Sequence, residues 1–363
     1  MSEETEVSKS LDIKKLLKSV LAYGSSDLHL VVGSEPQIRI DTELRPLNLP
    51  VLKAKDVEVM AYALIEDKQK KDFEEYNELD FSFELKGIGR FRANYYRTIY
   101  GIGCAFRMIP IDIPTLDEYG NPPIFKELIK REKGLILVTG PTGSGKSTTL
   151  ASMLHEINLT ERRHVITVED PVEFVHKNDK SLFSQRDVGN NTASFATALK
   201  YALRQDPDII LIGEMRDAET IGAALTAAET GHLVFGTLHT NSAPGTINRI
   251  IDVFTGQEQA QVRAQLASSL IAVISQTLIP KIGGGKVATQ EILITNPAVA
   301  NQIREDKVHQ IYSQMQLNQN ETHMTTQTQE LIELVKGNKI TKENAIKNSN
   351  RPEELIKTMD SFY

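Results

Sequence analysis

Residues 140–147 read Gly-Pro-Thr-Gly-Ser-Gly-Lys-Ser and match the pattern G-x-x-x-x-G-K-S. Gly140, Gly143 and Gly145 let the backbone turn tightly enough to aim several N–H groups at one phosphate. Lys146 is then placed for the β- and γ-phosphates, and the Ser147 hydroxyl for Mg2+. Thr142, Ser144 and Thr148 complete the binding set. A glycine-rich turn with a solvated lysine is the plainer reading, and the flanks speak against it. The apolar run 135–138 precedes the loop, and Leu150, Met153, Leu154 and Ile157 follow it at helical spacing. Strand, loop and helix in that order predict a site for ATP with Mg2+.

Hydrolysis needs more than a phosphate cradle. In open α/β sheets ligands sit beyond the carboxyl ends of the strands. The segment 164–168 delivers Glu169 and Asp170 at such an end, and 209–212 delivers Gly213 and Glu214 at another. Carboxylates beside a triphosphate repel it unless they hold a metal ion or work on the attacking water. Glu214 is assigned mainly to the metal shell with Ser147, and Glu169 to polarising the water. The predicted reaction is ATP plus water to ADP plus phosphate, with Lys146, Glu169, Glu214 and His239 as its catalytic set.

His232 and His239 bracket a further strand, 233–238. Their seven-residue offset puts them on opposite faces, which excludes a shared metal. His239 lies at the carboxyl end and is a candidate for the γ-phosphate. His232, at the start, is assigned to a subunit or domain contact near the nucleotide. A satisfied structural histidine is the alternative for either.

The elements that position these groups follow from the rest of the chain. Strand candidates at 135–139, 164–168, 208–212 and 233–238 alternate with helical patterns, which predicts a largely parallel sheet covered by helices. Upstream, 11–22 reads as an amphipathic helix after a Ser10 cap. Extended segments are expected at 27–32, 37–40 and 44–47, one helix at 56–76, and a β-meander over 79–85, 89–99 and 102–108. Together these form an α+β module of about 110 residues. Within the meander Arg90 and Arg92 alternate with Phe91 and Ala93, so a strand puts both arginines on one face, and Arg107 ends the next strand. That face is either a solvated basic surface or a cluster reaching a neighbouring subunit's phosphates. A proline-rich joint spans 109–123, and after about residue 297 the chain turns helical and polar. The domains are therefore set at 1–111, a linker at 112–123, a core at 124–297 and a C-terminal helical region with its tail at 298–363.

With 363 residues, 40% hydrophobic and 25% charged, the chain has the composition of a soluble globular protein of two or three domains. A net charge of −7 argues against a broad nucleic-acid surface. The single cysteine, Cys104, reads as a small buried residue in a strand, in keeping with a reducing cytosol. No apolar stretch reaches the length of a membrane span, so any membrane role is a docking one. No nucleic acid and no direct membrane insertion are expected.

Four linked boxes carry a family resemblance. Beside the loop stand 167–174 (Thr-Val-Glu-Asp-Pro-Val-Glu-Phe), 206–217 with Glu214 and Asp217, and 230–239 with both histidines. They resemble the Asp box, Walker B and His box of the secretion-type hexameric ATPases, and within them the retraction motors of type IV pili. Ser26-Asp-Leu-His-Leu30 fits as well, and Ile303-Arg-Glu305 is a shortened echo of a C-terminal motif of retraction motors. The resemblance implies an α/β fold with a RecA-like P-loop core, a PAS-like N-terminal α+β domain and a C-terminal helical region. It further implies a homohexamer, with nucleotide between the two domains and Arg90, Arg92 and Arg107 helping to complete the site. The ring would act on the inner-membrane platform protein of the pilus machine, from the cytoplasm. The lack of four spaced cysteines, and of an extra leading domain, favours retraction over extension or type II secretion. An accessory retraction ATPase would keep the same boxes.

Overall fold

The computed structural model describes residues 11–40, 43–109 and 112–361. Ser10, Pro110 and Ile111 lie outside the described residues. The chain divides into two compact units, with the boundary between Asp112 and Ile113.

The first unit is built on a six-stranded antiparallel sheet. Its strands are β1 (Asp27–Leu30), β2 (Gln37–Ile40), β3 (Glu43–Pro46), β4 (Glu78–Leu85), β5 (Gly89–Thr98) and β6 (Gly101–Ile109), in the order β3-β2-β1-β6-β5-β4. The helix Ile13–Ala22 is capped by Asp12, whose carboxylate accepts from Lys14 N at 2.9 Å, and it buries Ile13, Leu16, Leu17 and Val20. Alternation on β5 is as the sequence predicts: Phe91, Ala93 and Tyr95 are buried, while Arg90, Arg92 and Asn94 face the other way. Tyr95 anchors this core, edge-on to Phe73, Phe81 and Phe106, with its hydroxyl donating to Ala61 O at 3.0 Å. Cys104 is buried on β6. The single helix expected over 56–76 is two, Ala54–Tyr62 and Asp67–Tyr76. The break lets Leu64 and Ile65 pack on the core, a tertiary gain that helical spacing does not reveal.

The second unit carries a seven-stranded sheet in the order β13-β12-β7-β11-β10-β8-β9. β7 (Gly134–Thr139), β8 (His164–Glu169), β9 (Leu182–Asp187), β10 (Ile209–Ile212) and β11 (Leu233–Leu238) run parallel, with β12 (Leu270–Pro280) parallel to β7. β13 (Lys286–Ile294) is antiparallel to β12. β7, β10 and β11 are buried along their whole length, which is why they read as largely apolar runs. Leu135 and Leu137 face one helix layer, Ile136 and Val138 the other. The second layer includes the helix Lys146–Thr160, which buries Leu150, Met153, Leu154 and Ile157.

Three strands escape the sequence reading: β9, β12 and β13. The proline-rich joint expected to run to residue 123 also ends early. From Ile113 the chain belongs to the second unit, because Leu116 is buried among Phe125, Leu128 and Leu150. The helix pattern at 299–316 is broken at Asp306, whose φ is +60°, into Pro297–Arg304, a turn of 3-10 helix at Val308–Gln310 and Ile311–Met315. Val299, Ile303, Ile311 and Met315 from this stretch join the main core, while Leu331, Ile340 and Leu355 form a smaller cluster against Ile279 of β12.

Candidate active site

The loop 140–145 leaves the carboxyl end of β7 and its backbone admits no side chain where it matters most. Gly140 has φ +141°, and a Cβ there would lie 2.1 Å from Gln276 O. Gly145 has φ +88°, and a Cβ would lie 2.6 Å from the Tyr119 hydroxyl and 2.7 Å from Gln276 Nε2. Helix Lys146–Thr160 starts directly after it, so its free N–H groups and positive dipole end open on the loop.

Lys146 is half-buried and folded back on the loop: Nζ donates to Gly140 O at 2.8 Å and Pro141 O at 3.1 Å. Burial draws its amine down from the ordinary value, against the pull of Glu214 and Glu173. The lysine therefore rests on weak neutral acceptors, ready to exchange them for phosphate oxygens.

Lys146, Ser147, Thr142 and Gly143 line one cleft together with Glu169, Asp170, Glu173, Glu214, Thr237 and His239. Register explains the convergence. Ile212 of β10 pairs with Val168 of β8, so the residues that follow, Gly213 and Glu169, emerge side by side. Gly213 N donates back to Val168 O at 2.7 Å, and a Cβ on Gly213 would come within 3.0 Å of Glu169 Cα. Thr237 Oγ1 donates to Gly213 O and fixes the turn from the β11 side.

The two acids are shifted in opposite directions. Burial pushes the Glu169 carboxyl up to about 7, although Thr167 Oγ1 donates to its Oε1 at 2.7 Å and Gln185 of β9 adds a further donor. Burial acts in the same direction on Glu214 but is outweighed there. Arg216 donates to both carboxylate oxygens, Nη2 to Oε2 at 2.6 Å, and His239 Nε2 lies 2.9 Å from Oε1. These partners hold Glu214 below the usual carboxylate range. Pairs of acids pushed apart in this way separate a proton acceptor from a fixed negative charge. A base with a pKa of about 7 predicts a turnover rate that falls about tenfold per pH unit below that value and is level above it. Steady-state rates over the neutral range check this, and a flat profile through pH 7 would put the base elsewhere.

The other predicted residues lie as follows. Gly140, Ser144, Gly145 and Thr148 belong to the loop and the first helical turn without lining the cleft. His232 does not join it. It sits at the amino end of β11, its Nδ1 3.0 Å from Ala227 O, a strand's length (about 20 Å) from His239. Within the chain its ring is held by that contact. The arginines of the first unit are engaged there. Arg92 Nε and Nη2 meet Asp80 at 3.2 and 2.7 Å, and Arg90 Nη2 donates to Ser82 Oγ at 3.2 Å. Arg107 Nε donates to Asp27 Oδ1 at 2.8 Å, and Ser26 Oγ donates to Oδ2 of the same carboxylate at 2.6 Å. The Ser26–Leu30 motif thus seats Arg107, which pairs across the sheet with Arg92.

Sequence reasoning missed Glu173, Phe195 and Thr237 in the cleft wall, and Arg216 on Glu214. Arg216 had a signal, a base two residues beyond the acid in the same box. Thr237 had none, because it hides within an apolar strand.

The family model for type II/IV secretion system proteins matches residues 2–359. The chain is 53% identical to the type IV pilus retraction ATPase PilT of Pseudomonas aeruginosa, over 95% of this chain and all of that one. It is 50% identical to a twitching motility protein of Neisseria gonorrhoeae, over 94% of this chain and 92% of the relative. The crystal structure of the pilus retraction motor PilT with bound ADP superimposes with a TM-score of 0.90 at 48% identity, covering 96% of this chain and 99% of that one. The fold is thus the expected α/β one, a RecA-like core with N- and C-terminal regions.

Proposed function

The chain belongs to the type II/IV secretion system protein family, and from that membership we propose a ring-forming motor that couples ATP hydrolysis to retraction of a type IV pilus. One observation carries the reading: a complete phosphate loop faces two acids whose pKa values are shifted in opposite directions across a single cleft.

In this reading the loop backbone and Lys146 bind the triphosphate, and Lys146 gives up the Gly140 and Pro141 carbonyls to do so. Water attacks the γ-phosphorus as the bond to the bridging oxygen breaks and ADP leaves, and Glu169 takes the water's proton. Its raised pKa matches it to that task at neutral pH. His239 and Arg216 keep Glu214 ionised and aimed into the cleft. The donors here are hard oxygens, the Ser147 hydroxyl and the carboxylates of Glu169, Asp170, Glu173 and Glu214, a set that suits Mg2+. Ser147 and Glu214 would hold the ion, which when bound screens phosphate charge.

The nucleotide site is completed in a homohexamer by Arg90, Arg92 and Arg107 of a neighbouring copy. Arg92 and Arg107 must then exchange Asp80 and Asp27 for phosphate oxygens, a swap of one anion for another. His232 belongs to the subunit contact in the same ring. Among the described residues no helix is long and apolar enough to cross a membrane. The motor acts from the cytoplasmic face on the inner-membrane platform protein of the pilus machine.

Light scattering of the purified chain is expected to give the mass of six copies, with Mg2+-dependent release of phosphate from ATP. A monomer at micromolar protein, with and without ATP, would remove the ring.

A further inference from the structure

Behind the phosphate loop lies a chain of three amides, two of them buried, that no step of hydrolysis uses. Gln276 on β12 is fully buried. Its Nε2 donates to Ser144 O at 2.6 Å, inside the loop. Its Oε1 accepts from Thr149 Oγ1 at 2.8 Å, in the first turn of helix Lys146–Thr160. The same oxygen accepts from Gln290 Nε2 of β13 at 3.0 Å, and Gln290 Nε2 also donates to Asn121 Oδ1 at 3.2 Å. Both lone pairs of Gln276 Oε1 and both hydrogens of Gln290 Nε2 are thereby used.

Asn121 ends the segment Thr115–Asn121, through which the chain enters the second unit. Leu116 anchors that segment in the core, and Asn121 N donates to Leu116 O at 2.9 Å. Tyr119 of the same segment sets its hydroxyl against Gly145. The segment thus meets the loop twice, directly at Gly145 and through three amides at Ser144.

A planar trans peptide points its N–H opposite its C=O. Holding Ser144 O toward Gln276 therefore aims Gly145 N–H away from it, and the loop binds phosphate through such N–H groups. We propose that Gln276 is a positioning residue for the phosphate loop, and that Gln290 and Asn121 make the loop's shape depend on the placement of the segment Thr115–Asn121. This rests on the reading that the loop binds nucleotide. Displacement of the entry segment then changes nucleotide affinity without touching any residue of the cleft.

A double-mutant cycle on the full chain tests it, with MgADP affinity read by titration of a fluorescent ADP analogue. Gln276→Met keeps the side-chain length and removes the three hydrogen bonds. It is expected to weaken MgADP binding about tenfold, and Asn121→Ala about threefold, with the double variant no weaker than Gln276→Met alone. Wild-type affinity in Asn121→Ala, or a double variant weakened by the product of the single effects, overturns the proposal. So does a lowered thermal midpoint with unchanged MgADP affinity, which is all that a merely structural amide cluster would give. Should Gln276→Met fail to fold, Gln290→Met with Asn121→Ala runs the same cycle. A wild-type chain that does not bind MgADP removes the nucleotide reading itself, and this proposal with it.

Discussion

Glu169→Gln is expected to bind ATP with unchanged affinity, to lose turnover by two to four orders of magnitude, roughly the worth of a general base, and to melt at a higher temperature than wild type above pH 7. The first two effects follow from its place. Glu169 lines the cleft beside Ser147 and Glu214, and its carboxyl is pushed up to about 7, so it accepts a proton near neutrality where an ordinary glutamate is a poor base. The third follows from linkage. A glutamate whose folded pKa lies above its unfolded value makes the folded state bind more protons, so stability falls as pH rises through that range. Glutamine removes the cost of holding a charge in a buried place, so the variant's advantage grows as pH rises from the ordinary glutamate range to about 7 and is complete above it. Thermal melts at pH 5 and pH 8, with the advantage small at the first and full at the second, together with single-turnover hydrolysis, separate this from a damaged fold, which would lower both midpoint and rate. Measurable wild-type turnover in Glu169→Gln would move the base to another residue.

Lys146→Ala is expected to weaken binding of MgATP on the order of a hundredfold, the loss of one charge-assisted contact to phosphate in a half-buried site. Stability without nucleotide should change little. The carbonyls that Lys146 occupies belong to Gly140 and the exposed Pro141, where water can replace the amine. Titration with a fluorescent ATP analogue reads the affinity. Undiminished binding would mean that the amine stays on the loop carbonyls and never reaches the phosphates.

What the sequence made legible was local. The phosphate loop, the strands β7, β8, β10 and β11, and the alternation on β5 each show within a dozen residues, because burial on one face or both imposes its own period. The acids at 169 and 214 followed from the rule that parallel strands present their carboxyl ends to ligands. β9 was hidden because its residues, Leu-Phe-Ser-Gln-Arg-Asp, are those of a half-exposed edge. β12 was hidden because it continues from the helix Gly256–Ser269 with no turn residue between them. The glycines 283–285, all with positive φ, were the one available hairpin signal. Gln276 could not have been found at all. Its partners Thr149 and Ser144 lie 127 and 132 residues earlier, and a buried glutamine in an apolar strand announces nothing until the strand is placed beside the loop. The arginines show the opposite failure. Their face was read correctly, but their partners Asp80, Ser82 and Asp27 come from other strands, and only the pairing reveals them.

The central claim is that hydrolysis in this cleft drives pilus retraction, and cells lacking the gene test it most directly. Surface pili would be counted and surface motility scored, then the gene restored as wild type or as Glu214→Gln. Many pili with lost motility, rescued by wild type and not by Glu214→Gln, is the predicted result. Bald cells would contradict it by making the motor one of extension, and unchanged piliation and motility would contradict it by leaving retraction to another ATPase.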